Sequence, residues 1–137
     1  MAWWLYAFGA AVTAALTALF VKMSVSDMPP LAATALRTAF VVPFVFAAAS
    51  IEMAGRGWRF GRIDWWIFAL AGLMNALSWM FYTKAMATGK ASLVSAVDKF
   101  SLPLVALLAL LFLGEALTIR QWAGIVLVTG GILLMVR

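Results

Sequence analysis

The chain has 137 residues, 66% of them hydrophobic and 11% charged, with a formal charge of +5 and neither cysteine nor histidine. A soluble domain carries about twice that share of charge and cannot hide so much apolar surface inside one small core, so lipid is the natural solvent for the excess. The missing residue types exclude thiolate and imidazole metal sites and catalytic pairs built on His or Cys. The basic residues stand singly among apolar runs, without the basic stripe interleaved with aromatics that a nucleic-acid surface needs.

A first span is expected over residues 3–22. Met1-Ala2-Trp3-Trp4 lacks the positive start of a secretory signal, so this run reads as a retained span with two interfacial tryptophans. Ser26-Asp27-Met28-Pro29-Pro30 reads as a turn and a helix start, leading into a second span over 31–51 that Arg37 interrupts. The one substantial loop, roughly Glu52 to Asp64, holds Arg56, Arg59 and Arg62 among glycines. Asp64 is placed to cap a third span over 65–87, and Gly89 suits its C-terminal turn.

The fourth span, 91–113, is the least regular. Asp98 and Lys99 stand side by side, and Pro103 follows four residues after Lys99, whose carbonyl loses its helical donor. Gly114-Glu115 ends this span, and Thr118-Ile119-Arg120-Gln121 has the spacing of a capping box that opens a fifth span over 120–136. Each run approaches the ~20 residues that a bilayer requires. The expectation is an all-α membrane protein with five transmembrane helices in a single domain over 1–137, neighbouring spans antiparallel.

An odd number of spans puts the termini on opposite sides. Arg56, Arg59, Arg62 and Arg120 fall on one face, and Lys22, Lys84, Lys90 and Arg137 on the other. An even division leaves almost no positive-inside preference. Two readings stay open: insertion in both orientations, or one orientation with the arginine-rich loop in the cytoplasm.

Charged groups at membrane depth are expensive and are the first functional candidates. Arg37 either holds an anionic substrate group, pairs with a carboxylate of another span, or snorkels to the nearer surface. Adjacent helical residues point about 100° apart, so Asp98 and Lys99 are expected not to face each other. Each then needs another partner, in a substrate site beside the carbonyls freed by Pro103, or in an ion-pair network with Arg37 or Lys84. Asn75, Ser78, Trp79 and Tyr82 form a helical stripe that suits either a pocket lining or interhelical contacts, with Gly72 and Ala76 permitting close approach. Thr13, Thr17 and Ser101 are weaker candidates, because hydroxyls often bond to their own helix. Gly124, Gly130 and Gly131 read as packing positions, and Glu115 as a structural turn residue. No catalytic motif stands out, and Ser95 with Lys99 is a weak Ser–Lys spacing, so an enzyme is not expected.

Tyr82-Thr83-Lys84-Ala85, Gly89-Lys90-Ala91-Ser92, Pro103, Gly114-Glu115 and Gln121 with Gly124 and Gly130 together resemble an EamA domain of the drug/metabolite transporter superfamily, with Lys22, Pro29 and Arg37 also at familiar places. Most relatives carry two copies as inverted repeats around a central cavity. This chain resembles the small five-span branch, and Asp98-Lys99-Phe100-Ser101 departs from the small apolar stretch usual in two-copy members.

The resemblance implies a half-transporter in a cell membrane, expected to be a bacterial inner membrane, and an antiparallel homodimer that restores the inverted repeat. A transporter or exporter of a small metabolite or drug-like solute, working by alternating access, is the leading expectation. Its substrate-binding residues would be Arg37, Asn75, Trp79, Tyr82, Asp98, Lys99 and Ser101. Its partners would be that solute, membrane lipid and a second copy; no nucleic acid, cofactor or metal is expected. A flippase for a lipid or lipid-linked sugar and a non-transporting partner subunit are the alternatives.

Overall fold

The computed structural model describes residues 2–54, 57 and 64–136; Arg56, Arg59, Arg62 and Arg137, on which the charge comparison partly rests, lie outside them. The described residues are helical almost throughout and contain no strand. The helices are α1 (Trp3–Ser24), α2 (Pro30–Met53), α3 (Trp65–Thr88), α4 (Ala91–Asp98), α5 (Ser101–Leu108) with a π-helical turn over Ala109–Leu113, and α6 (Ile119–Val136). Taking Ala91–Leu113 as one broken run, five helices are long and apolar enough to cross a bilayer. They are apolar on all sides, which is how a helix surrounded by lipid reads.

Local chemistry sets several helix ends. Pro30 takes the first position of α2, where a missing N–H costs nothing. The Asp64 carbonyl accepts from the N–H groups of Ile67 and Phe68, which makes Asp64 the N-cap residue of α3. Thr118 and Gln121 form the expected box: the Gln121 side chain accepts from the Thr118 N–H at 2.7 Å, and the Thr118 hydroxyl accepts from the Gln121 N–H at 3.4 Å. Gly114 closes the π turn at φ +67°, a left-handed backbone that favours glycine. Gly89 is different: it sits in a bend without a positive φ, so no left-handed glycine cap ends α3.

The chain forms two compact units, Met1–Thr88 and Gly89–Arg137. In the second, α6 packs against α4 and α5. In the first, α3 is the centre, with α1 and α2 both against it. The buried residues of this unit are Ala18, Val21 and Val25 near the end of α1, Ala33 and Thr34 at the start of α2, and Thr83 and Met86 near the end of α3. All lie at one end of the three-helix unit. At the other end the apolar side chains stand open, as Phe44 (74% exposed) and Trp66 (89%) show.

Polar contacts hold the closed end. Lys22 donates from Nζ to the Met86 carbonyl at 2.7 Å. The last four carbonyls of a helix lack intrahelical donors, so Lys22 of α1 supplies one to α3 and sets a positive charge at its negative pole. The Thr83 hydroxyl donates to the Trp79 carbonyl at 2.7 Å and accepts from the Thr34 hydroxyl at 2.9 Å. A hydrogen bond between two buried hydroxyls thus joins α2 to α3, with the Pro30 carbonyl 3.0 Å away as a second acceptor for Thr34. Replacing Lys22→Met is expected to cost about 1–2 kcal/mol, read as a shift in the detergent-denaturation midpoint; an unchanged midpoint would show that the cap contributes nothing.

Candidate functional site

A groove of about 500 Å³ runs between α2 and α3. Thr34 and Thr38 contribute from α2, and Asn75, Trp79 and Met80 from α3, with valines and Phe46 completing an apolar lining. Thr38 donates to the Thr34 carbonyl at 2.9 Å, so its proton is taken up by its own helix. Pro43, which sequence reasoning passed over, lies inside α2 beside the groove. Having no N–H, it cannot supply the helical donor for the Ala39 carbonyl. Pro43 sits in an apolar run, Phe40 to Phe46, with no polar neighbour to draw attention to it.

The expected α3 stripe divides. Asn75 and Trp79 line the groove, whereas Ser78 and Tyr82 do not. Gly72 and Ala76 also face the groove, and a Cβ on Gly72 would meet nothing within 4 Å. Among the described residues, therefore, no helix makes the close approach that Gly72 would permit. A Cβ on Gly124, Gly130 or Gly131 of α6 would likewise meet nothing within 4 Å among the described residues.

Arg37 occupies the neighbouring face of α2. Its guanidinium lies over the Trp79 ring, 4.6 Å from the centroid. It also lines a second cavity of about 430 Å³ between α1 and α2, to which Thr17, Ser24, Phe40 and Thr83 contribute. Two of its nitrogens, Nε and Nη2, are buried without a hydrogen-bond partner among the described residues. The stack is worth about 0.5–2 kcal/mol, more as water is excluded, and it fixes the plane of the guanidinium. The Arg37–Trp79 contact joins two residues that sequence reasoning proposed separately.

Asp98, Lys99 and Ser101 belong to the second unit, at the break between α4 and α5. Contrary to expectation, Asp98 and Lys99 do face each other, with Nζ 3.5 Å from Oδ2 and both side chains substantially exposed. The expectation assumed a continuous α-helix. Here Lys99, Phe100 and Leu102 donate to the carbonyls of Ala96, Val97 and Lys99, each three residues back, so the chain tightens into a 3₁₀ turn. The last of these bonds corrects a second expectation: the Lys99 carbonyl, deprived of its donor at Pro103, accepts from Leu102 at 3.0 Å. Ser101 begins α5 directly after the turn.

Five apolar helices long enough to cross a bilayer stand beside a family match that runs over residues 1–137. The chain belongs to the EamA-like transporter family. It is thus a multi-pass membrane transporter. This EamA-like chain is 36% identical over 136 residues to a protein of a Sinorhizobium species named as an uncharacterized transporter in the cobO 3′ region. The alignment covers 97% of this chain and 95% of that relative, which has no room for a second copy of the domain. No solved structure matches the EamA-like chain.

With no native cysteine, single cysteines report without background. In proteoliposomes, Thr38→Cys and Asn75→Cys are expected to react with an aqueous maleimide about tenfold faster than Phe44→Cys, because the reactive thiolate needs water. Equal rates at all three positions would mean that lipid fills the groove.

Proposed function

We propose that this protein is a secondary transporter of a small metabolite or drug-like solute, working by alternating access as an antiparallel homodimer in a bacterial inner membrane. The observation that carries the reading is the asymmetry of the first unit. Its polar contacts and buried side chains lie at one end, and the groove between α2 and α3 leads from Thr34 at that end to Phe46 and Gly72. A unit closed by polar contacts at one end and open at the other has the asymmetry that one half of an alternating-access cycle requires. Pro43 within α2, which leaves one helical hydrogen bond unmade, and the break at Lys99–Phe100 are places where a helix is free to bend.

The dimer rests on separate support. Three helices give such a groove only part of a wall, and five spans are an odd number, so an inverted repeat needs a second, oppositely inserted copy. The relative from Sinorhizobium, of nearly the same length, fits a one-copy arrangement. The open glycines of α6 offer a surface on which another helix can approach closely. The apolar lining and open side of the groove favour one competing reading, a flippase for a lipid or lipid-linked sugar, and groove labelling at the lipid-facing rate would support it.

Flux into proteoliposomes from a panel of solutes tests the reading. Wild type is expected to accumulate at least one solute against its gradient, and Asp98→Asn to slow that flux about tenfold, as loss of a charge engaged at the hinge would. Transport unaffected by Asp98→Asn would remove Asp98 from the mechanism. Reporters fused to the C-terminus should give signal from both sides of the membrane; signal from one side alone would defeat the antiparallel homodimer.

A further inference from the structure

The unmade hydrogen bonds of Arg37 form a pattern. Nε and Nη2 lie on one edge of the guanidinium, and their N–H bonds run parallel as the two-pronged fork that meets both oxygens of a carboxylate or a phosphate. These are the two nitrogens buried without a partner among the described residues. A buried cation with unmade bonds is costly, because its desolvation is not offset. The Trp79 ring takes the face of the guanidinium and leaves this edge unused.

The cavity beside Arg37 narrows the ligand further. Its volume of about 430 Å³ suits a small organic molecule. The hydroxyls that line it have their protons engaged already: Thr17 donates to the Thr13 carbonyl, Ser24 to that of Phe20 and Thr83 to that of Trp79. They offer lone pairs, not donors, and would not stabilise an anion. Among the described residues, no carboxylate lines the cavity to neutralise the arginine. The remaining lining, with Phe20, Leu36 and Phe40, is apolar.

We infer that Arg37 binds the oxyanion of the transported molecule through its Nε–Nη2 edge, and that the ligand has a single carboxylate or phosphate head on an apolar body. This rests on the transporter reading and names its substrate class. Because the fork is covered in this conformation, the ligand enters when α1 and α2 separate, and binding and movement are linked.

The test is binding to the full-length protein in nanodiscs of zwitterionic lipid, followed by thermal stability and calorimetry. The probes are phenylbutyrate, phenyl phosphate and phenylbutyramide, with a parallel series in nanodiscs doped with an anionic phospholipid. Wild type should bind the acid or the phosphate at least about tenfold more tightly than the amide, the loss expected when a charge-assisted pair is replaced by a neutral contact. Arg37→Lys keeps the charge without the fork and should abolish that preference; Trp79→Phe, which keeps an aromatic face, should reduce it in part.

Stabilisation by the anionic phospholipid and by neither soluble anion would keep the fork and assign it to a lipid headgroup. Equal binding of acid and amide, or a preference intact in Arg37→Lys, would overturn the inference. So would a loss of dimer in Arg37→Lys with no ligand response in wild type, since the fork would then be meeting a carboxylate of a second copy. Binding needs no flux: anion binding without transport would sink the transporter reading alone, and transport of cations untouched by Arg37→Lys would sink the anion site alone.

Discussion

In hydrocarbon a helix has no water to complete its polar groups, and that constraint organises the first unit. The contacts at its closed end answer the demand one group at a time. Lys22 reaches across to an end carbonyl of α3, and the Thr34 hydroxyl donates to that of Thr83 between α2 and α3. Burial follows these bonds, since the small side chains around them are the ones that approach closely. Hydrophobicity alone would not select this end, because lipid solvates leucine and phenylalanine as well as a protein interior does. The other end, lacking such contacts, leaves its large apolar residues open.

The same constraint explains why the irregular segments stand out. A helix interrupted in a membrane has to satisfy its freed groups nearby, and the α4–α5 break does so by tightening into three-residue turns. The π turn before Gly114 takes another route: the Ala109 carbonyl accepts from the Glu115 N–H at 3.2 Å. Both departures sit in the fourth span, whose second part therefore does not continue the geometry of its first. Pro43 adds a weak point in α2, next to the one groove wall that carries Thr34 and Thr38.

Features that depend on neighbouring residues along the chain were legible in the sequence. The box at Thr118 and Gln121, the proline at the head of α2 and the glycine stop at Gly114 each carry their own chemistry within four residues. The apolar run lengths likewise reveal five spans, because membrane thickness sets a simple rule. What lay across helices was hidden. The Thr34–Thr83 bond and the Arg37–Trp79 stack join residues more than forty positions apart, and no periodicity within one helix announces them. Asp98 and Lys99 were conspicuous as charges, but their mutual geometry came out wrong because helical spacing applies only to an unbroken helix. The α6 glycines were legible as small residues, yet composition could not say that they face open space.

Trp79 serves three neighbours at once. Its carbonyl receives the Thr83 proton, its ring supports Arg37, and its side chain walls the groove that Asn75 enters. The indole that walls one cavity thus also braces the arginine that lines the other. Evolution cannot replace this ring to widen the groove without also unseating the guanidinium, so the bore of one pocket and the chemistry of its neighbour are inherited together.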